Sequence, residues 1–276
     1  METEHGTRPR ALITGASAGI GATFAERLAR DNYDLVVVAR RRERLDALAR
    51  QLEHAHRVAV QVLVADLTQP DDLRRVEQQI ADDQSLDLLI NNAGFPGYMP
   101  FIELDPDRAE ELIRLHVVAT TRLARAALPG MVARGRGAIV NVASMLAFSA
   151  PVPGGAAPLP KRVVYAACKA YIVAFSELLH HELEGSGVRV QALCPGLVGG
   201  TEFFDGVPGF DRSRLAQAGV MPEDVVTASL AGLRLGEVIC APGLDDVALI
   251  EQFRASEQQL VARGARGALA ARYTAT

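Results

Sequence analysis

Tyr165 and Lys169 are four residues apart, a spacing that places two side chains next to each other on one face of a helix. A tyrosine hydroxyl has a pKa of about 10 in water and is a poor base at neutral pH. A neighbouring ammonium group favours the phenolate and lowers that pKa. The pair can therefore act as a general acid and base, although the same spacing is more often an ordinary surface pair on a helix.

A glycine-rich turn follows the first apolar run of the chain, residues 11–14. Glycine permits a tight turn and lets the backbone approach a pyrophosphate, and the free N–H groups of the next helix face that anion. The turn predicts a dinucleotide site, and the alternative is a glycine-rich turn without a ligand. The residues expected to line the site are Gly15, Ser17, Ala18, Gly19, Ile20 and Gly21.

The end of the second apolar run, residues 35–38, distinguishes between nicotinamide cofactors. An acid there would bind the ribose 2′-hydroxyl of NAD, but position 39 is alanine and is followed by Arg40 and Arg41. Guanidinium groups hold a 2′-phosphate through charge-assisted hydrogen bonds, which predicts NADP(H). The alternative is a solvated helix start, although cations are unfavourable at that end of a helix.

The elements that must position these residues alternate along the chain, with short apolar runs between longer helical patterns. The runs predicted as strands are residues 11–14, 35–38, 58–64, 86–90, 138–142, 188–193 and 238–240. Continuous apolar strands separated by helices are typical of a parallel sheet covered on both faces. We therefore predict a doubly wound, Rossmann-like α/β fold of about seven strands, with its chemistry in the loops at the carboxyl ends.

Composition excludes several classes of protein. The 276 residues, 49% of them hydrophobic, suit a single domain over residues 1–276. The net charge of −4 argues against nucleic acid or an anionic membrane as a partner. The three cysteines form no disulfide framework or metal-spaced pair, and no apolar stretch has the ~18 residues of a membrane helix, so we expect a cytoplasmic, metal-free protein.

Two stretches rich in proline and glycine, residues 148–162 and 201–222, break the regular spacing. Loops this long inside a compact domain are usually functional, so both are predicted to lie at the substrate site. The alternative for 148–162 is a tolerated surface insertion. Residues 264–276 are expected to form a weakly ordered tail.

Five motifs in this order make residues 8–245 resemble the short-chain dehydrogenase/reductase family. They are Thr14-Gly15-x-x-x-Gly19-x-Gly21, Asn91-Asn92-Ala93-Gly94, Ser144, Tyr165-x-x-x-Lys169 and Pro195-Gly196. Each is modest alone, but all five fall at a predicted strand end or on the expected helix. Residues 38–41 and 91–95 look most like the NADP-preferring ketone reductases of the family.

The resemblance implies hydride transfer between a nicotinamide and a carbonyl or hydroxyl carbon, with Tyr165 exchanging the proton and Ser144 holding the substrate oxygen. Lys169 would also bind the nicotinamide ribose. Asp66, beside Leu67, is expected to bind the adenine edge, with a helix cap as the alternative. The residues expected to line the ribose, nicotinamide and carboxamide are Asn92, Ala93, Gly94, Pro195, Gly196, Val198 and Thr201. The alternative for the first three is a plain turn.

The sequence departs from the family's pattern in three places. His116 stands where the family has an asparagine that kinks the helix and relays protons from the lysine. Histidine can also relay protons, so His116 either keeps the relay or is a packed substitute. The interval between the serine and the tyrosine is longer than usual and contains residues 148–162. An extra glycine precedes Thr201.

Three functions remain open. They are an NADPH-dependent carbonyl reductase or the reverse alcohol dehydrogenase, an epimerase or dehydratase on the same frame, and a non-catalytic NADP-binding regulator. The intact Ser144, Tyr165 and Lys169 argue against a regulator. An epimerase or dehydratase usually needs a further acid/base pair, which the sequence does not reveal.

Apolar side chains from three loops suggest a bulky apolar or cyclic ketone as substrate, with ordinary core as the alternative. These side chains are Phe95, Tyr98, Met99, Phe148, Phe203 and Phe204. Members of the family commonly pair through their fourth and fifth helices, so a homodimer or homotetramer is expected. Side chains there that suit either an interface or the core are Leu112, Leu123, Leu128, Tyr171, Phe175 and Leu179.

Overall fold

The structure is a computed structural model that describes residues 8–148, 161–205, 207, 219–265, 267 and 269–273. In this part of the chain, seven parallel strands form one sheet in the order β3-β2-β1-β4-β5-β6-β7. The strands are β1 (Arg10–Thr14), β2 (Asp34–Ala39), β3 (Val60–Val64), β4 (Leu86–Asn91), β5 (Gly137–Val142), β6 (Val188–Leu193) and β7 (Ile239–Cys240). The predicted doubly wound, Rossmann-like fold is confirmed.

Helices cover both faces of the sheet because alternate residues of each central strand point in opposite directions. In β1, Ala11 and Ile13 belong to the core that contains Phe24, whereas Leu12 belongs to the core that contains Leu123. These helices are α1 (Gly19–Arg30), α2 (Arg42–His56), α3 (Pro70–Asp82), α4 (Pro106–Ile113), α5 (Thr120–Ala133), α6 (Val163–Glu182) and α7 (Pro222–Leu235). A further helix, α8 (Ala248–Gly264), follows them in the chain. Both faces of the strands are therefore apolar, as the continuous runs predicted.

The helical stretch over residues 106–133 is interrupted. A π-helical segment, Arg114–Ala119, separates α4 from α5 and contains His116. A π-helical turn widens the backbone spiral by one residue and is frequent at functional sites. The side chain of His116 in this segment is buried, at 1% exposed.

The chain separates into two compact units, Met1–Pro242 and Gly243–Thr276. The second contains α8, which has no buried residue in the described part of the chain, and a short 3-10 turn at Ala271–Tyr273. A segment that small rarely forms a core of its own. The single domain over residues 1–276 stays a prediction, as does the weakly ordered tail, part of which lies outside the described residues.

Helix α6 is long and apolar enough to cross a membrane by length and composition alone, which the sequence analysis did not expect. Core helices of soluble proteins pass the same test. Its buried residues include Tyr165 and Lys169, and it packs against β6. The apolar character of α6 is therefore explained by its packing within the fold.

A row of buried polar side chains joins α6 to the sheet. Asn91 and Asn141 are register partners on β4 and β5, and the Asn91 amide donates to Asn141 Oδ1 at 2.9 Å. Asn141 Nδ2 donates in turn to Ser176 Oγ on α6 at 3.0 Å, and Ser176 donates to Ile172 O at 2.7 Å. Buried polar groups are costly unless paired, so this row fixes how α6 lies on the sheet.

We expect Ser176→Ala to lower the free energy of unfolding by about 1–3 kcal/mol, because it leaves the buried amide of Asn141 without its acceptor. Ser256→Ala is the matched control, since Ser256 Oγ makes the same bond to the residue four positions earlier, at 2.9 Å, on the exposed helix α8. That control should change stability by less than about 0.5 kcal/mol. Urea unfolding of both variants measures the difference, and equal effects would contradict a locking role for Ser176.

Candidate active site

The loops at the carboxyl ends of the strands surround a cavity of about 480 Å³. The predicted site residues at its wall are Gly15, Ser17, Ala18, Gly19, Ile20, Arg40, Arg41, Asp66, Leu67, Asn92, Ala93, Gly94, Ser144, Tyr165, Lys169, Pro195, Gly196, Val198 and Thr201. Gly21 and His116 lie behind the wall. Residues that the sequence assigned to separate motifs thus meet at one site.

The turn after β1 has room for glycine only at two positions. Gly15 has φ +69°, and a Cβ there would come within 2.8 Å of both the Ala93 Cα and the Asn92 Nδ2. A Cβ on Gly21 would be 2.4 Å from the Gly15 carbonyl oxygen. Gly21 therefore lets α1 start close to β1, while Gly15 lets the backbone bend toward the cavity.

Thr14 connects the end of β1 to the end of β4, a role that the sequence analysis missed. Its Oγ1 accepts from the backbone N–H groups of Asn92 at 2.9 Å and Ala93 at 3.0 Å. The Asn92 side chain returns a bond to Thr14 O at 2.9 Å. A polar residue that closes a buried apolar strand was the available signal. These bonds hold residues 92–94 against the glycine turn.

The arginines after β2 are not simply solvated. Arg41 donates from Nε and Nη2 to Ser17 Oγ in the glycine turn, at 3.1 and 2.9 Å. Arg40 Nη1 lies 4.0 Å from Asp66 Oδ2. Arg41 therefore stands beside the turn that would hold a pyrophosphate, and Arg40 lies at the wall of the same cavity.

Glu202, which the sequence analysis missed, forms ion pairs with Arg41 and Arg44. Its Oε2 accepts from Arg41 Nη1 at 2.8 Å, and its Oε1 accepts from Arg44 Nη1 at 2.7 Å. Both hydrogen bonds hold the pKa of the Glu202 carboxyl below its usual value. The charge of this side chain was visible in the sequence, but its distance from the arginines along the chain concealed the contact.

The position of Asp66 is compatible with both interpretations from the sequence, a contact to the adenine edge and a helix cap. Its Oδ1 accepts from the Thr68 N–H at 3.0 Å and from the Thr68 hydroxyl at 2.8 Å. This is a local turn before α3, close to the predicted capping role. The side chain also lies at the cavity wall, with Leu67 beside it.

Lys169 is buried, at 4% exposed, on the same face of α6 as Tyr165. Its Nζ donates to Val142 O at the end of β5 at 2.7 Å and lies 5.5 Å from the centre of the Tyr165 ring. Burial lowers the pKa of Lys169 to about 8, because a charged amine is disfavoured away from water.

Tyr165 meets Ser144 as predicted, but its acidity does not follow the prediction. Its hydroxyl lies close enough to Ser144 and Tyr98 for both to affect its pKa. Burial raises the pKa of Tyr165 well above its usual value, Tyr98 adds to the rise, and only Ser144 opposes it. The expectation that Lys169 lowers this pKa is corrected: desolvation of the phenol dominates, and the ammonium of Lys169 bonds to Val142 O.

An aromatic cluster of Tyr98, Phe203 and Phe204 lies against Tyr165. The ring centres of Tyr98 and Phe203 are 5.4 and 6.0 Å from that of Tyr165, and Tyr98 stacks on Phe204 at 5.8 Å. Burial raises the pKa of Tyr98 to about 12, so its hydroxyl stays protonated. With Phe95, these rings form the apolar wall that the sequence suggested.

Two other residues expected in that wall, Met99 and Phe148, do not line the cavity. The prediction that residues 148–162 cover the substrate site falls mostly outside the described residues. The same is true of much of the predicted substrate loop at 201–222.

His116 lies directly behind the tyrosine. Its Nε2 donates to Phe95 O at 3.2 Å, and its ring meets the Tyr165 ring edge-on at 5.5 Å between centres. A Cβ on Gly94 would come within 2.6 Å of His116 Cε1, so the glycine makes room for the imidazole. Burial, with the nearby charge of Lys169, lowers the pKa of His116 well below its usual value and keeps the ring neutral.

Thr201 reaches the glycine turn in spite of the extra glycine before it. Gly200 takes a left-handed backbone, with φ +64°, and Thr201 Cγ2 would be 3.3 Å from a Cβ on Gly19. Thr201 Oγ1 is buried without a hydrogen-bond partner within the described part of the chain. That orphaned hydroxyl, the glycine turn and the arginines together fit a phosphorylated dinucleotide.

Two solved structures resemble the whole chain. A short-chain dehydrogenase from Sphingobium yanoikuyae in complex with NADPH is 39% identical, with a TM-score of 0.87 over 96% of this chain and 100% of that one. The bulky-bulky ketone specific alcohol dehydrogenase from Comamonas testosteroni is 34% identical, with a TM-score of 0.84 over 98% of this chain and 100% of that one.

Among curated relatives, hydroxysteroid dehydrogenase-like protein 1 from Gallus gallus is 31% identical over 189 residues, which is 67% of this chain and 54% of that protein. The chain thus matches little more than half the length of this relative. A sequence profile of the family described as short chain dehydrogenase matches residues 9–208. That match, over most of the chain and through all five motifs, makes this protein a member of the short-chain dehydrogenase family of oxidoreductases.

Proposed function

We propose that this protein is an NADP(H)-dependent carbonyl reductase, or the reverse alcohol dehydrogenase, that acts on a bulky apolar ketone or aldehyde. The observation that carries the proposal is a single cavity with Ser144, Tyr165 and Lys169 on one wall and Arg40 and Arg41 on another. The NADPH found in one structural relative and the bulky ketones named for another support it.

When bound, NADPH supplies a hydride to the carbonyl carbon. Ser144 holds the carbonyl oxygen by a hydrogen bond, and the Tyr165 hydroxyl donates the proton to that oxygen. Because burial keeps Tyr165 protonated at neutral pH, its hydroxyl is available there as the proton donor for reduction. The bond to Val142 O fixes the position of the Lys169 ammonium, 5.5 Å from the centre of the Tyr165 ring.

The aromatic cluster supports the proposed substrate class. Phe203 and Tyr98 contact the ring of Tyr165, so a ketone that reaches the hydroxyl must pack against them. Apolar groups on both sides of the carbonyl would gain from burial, at about 25 cal/mol for each Å² removed from water.

A homodimer or homotetramer in a cytoplasmic setting belongs to the same proposal. Leu112 and Leu123 are fully buried and therefore serve the core. Tyr171, which is 37% exposed and stacked on Phe175, is available to a partner. The described cysteines are free, in keeping with a reducing compartment.

The function is tested by NADPH consumption with a panel of dialkyl and aryl ketones. We expect turnover with the wild-type protein and a loss of about 10²–10⁴-fold in kcat for Tyr165→Phe, which removes the proton donor but keeps the ring. Tight NADPH binding without turnover of any ketone or alcohol would support a regulator instead.

The raised pKa of Tyr165 adds a pH readout to this test. Reduction needs the protonated phenol and should hold its rate up to alkaline pH, whereas alcohol oxidation needs the phenolate and should rise with pH over the same range. Rates of reduction that rise with pH, or rates of oxidation that fall with pH, would argue against Tyr165 as the group that transfers the proton.

Cofactor choice depends on the arginines after β2. The double variant Arg40→Ala, Arg41→Ala should raise the KM for NADPH about tenfold or more, since hydrogen bonds to charged groups contribute about 1.5–3 kcal/mol each, and should change the KM for NADH little. Arg42→Ala is the control, because Arg42 is exposed and has no ion pair in the described part of the chain. An equal loss with both cofactors would argue against 2′-phosphate recognition.

The relay proposal for His116 requires the ring to give up its bond to Phe95 O during turnover. On this proposal, His116→Ala lowers kcat about tenfold or more, while His116→Asn keeps a donor and an acceptor and retains kcat. Steady-state kinetics and thermal unfolding of both variants separate the alternatives. A lower melting temperature with unchanged kcat for His116→Ala would assign the ring to packing.

A further inference from the structure

Residues 201–205, here called the strap, link the two ends of the cavity. At its start, Glu202 bonds to Arg41 and Arg44 beside the glycine turn. The next residues, Phe203 and Phe204, belong to the aromatic cluster that covers Tyr165. The strap is therefore held at one end by charge and at the other by ring contacts.

The carboxylate of Glu202 uses donors that a phosphate monoester would also use. Arg41 has its Nε and Nη2 on Ser17, and its Nη1 bonds to Glu202. Arg44 Nη1 lies within 2.9 Å of both carboxylate oxygens. Guanidinium groups bind carboxylate and phosphate through the same planar fork, so the two anions exclude each other at these donors.

The exchange of one anion for the other is energetically accessible. The side chains of Glu202, Arg41 and Arg44 are 42–48% exposed, and ion pairs in water contribute little to stability. A phosphate monoester carries more charge than a carboxylate and offers three oxygens. It should therefore displace Glu202 from these arginines.

We propose that Glu202 is a specificity-determining residue that competes with the 2′-phosphate of the cofactor, and that its displacement loosens the strap over Tyr165. The proposal rests on the proposed NADP(H) function. Phosphate binding at one end of the cavity then opens the substrate end, so a cofactor with the 2′-phosphate prepares the site for a ketone and one without it does not.

The competition is tested by measuring Kd for NADPH and NADH by titration calorimetry at low, fixed ionic strength. Glu202→Gln removes the charge and keeps the shape, and we expect about two- to fivefold tighter NADPH binding with NADH unchanged. Glu43→Gln, on the same helix as Arg44, is the control for net charge, because Glu43 has no ion pair in the described part of the chain. Weaker NADPH binding by Glu202→Gln, or equal changes for both cofactors or in the control, would overturn the competition.

Movement of the strap is tested by fluorescence. The chain has no tryptophan, so Phe203→Trp introduces a single indole into the strap. Adenosine 2′,5′-bisphosphate should shift its emission to longer wavelength, and adenosine 5′-phosphate should not. Adding Glu202→Gln to this variant should produce the shifted emission without any ligand. Identical emission with both nucleotides at saturation would overturn the coupling.

The wild-type titration separates this proposal from the function on which it rests. Preference of the wild-type protein for NADH over NADPH would reject the NADP(H) function and the competition with it. A wild-type preference for NADPH that Glu202→Gln does not increase would leave the function standing and reject the role of Glu202 alone.

Discussion

The buried ammonium of Lys169 is the group on which the geometry of the active site depends. A charged amine away from water needs a fixed acceptor, and the carbonyl of Val142 at the end of β5 supplies it. Burial lowers the pKa of Lys169 to about 8, and the burial of His116, together with the charge of Lys169, lowers the pKa of His116 and keeps its ring neutral. Helix α6 must therefore lie close on the sheet, with Tyr165 one turn earlier at the cavity wall.

The polar row through Asn141 and Ser176 serves this constraint from further along the helix. Ser176 is two turns beyond Lys169 on α6, and its bond to Asn141 sets the distance between helix and sheet. At the other end of the cavity, Thr14 and Asn92 fix the glycine turn in a similar way. The two halves of the site are each held by buried hydrogen bonds, whereas the strap that joins them is held by exposed charge.

Much of the site followed from sequence because strand ends in a parallel sheet share one edge. Gly15, Arg41, Ser144 and Tyr165 each sit at a strand end or one turn into a helix, so their common position could be predicted from order alone. Contacts such as Arg41 with Glu202 could not, since they depend on where an irregular segment returns to the cavity. No periodic pattern in the sequence predicts where such a segment meets the cavity.

The sequence by itself determined the fold, the cavity edge and the residue types gathered there, because apolar runs and motif order specify strands and their ends. Only the tertiary structure decided the state of those residues. Burial, which raises the pKa of Tyr165 against the effect expected from its spacing to Lys169, depends on Tyr98 and on how closely α6 packs. The resemblance placed a helix kink at His116, but the π-helical form of residues 114–119 could not be predicted, because these residues include no glycine or proline that would mark a break. Spacing along a chain predicts which groups are neighbours, but only the packing of the folded protein determines how far these groups are desolvated.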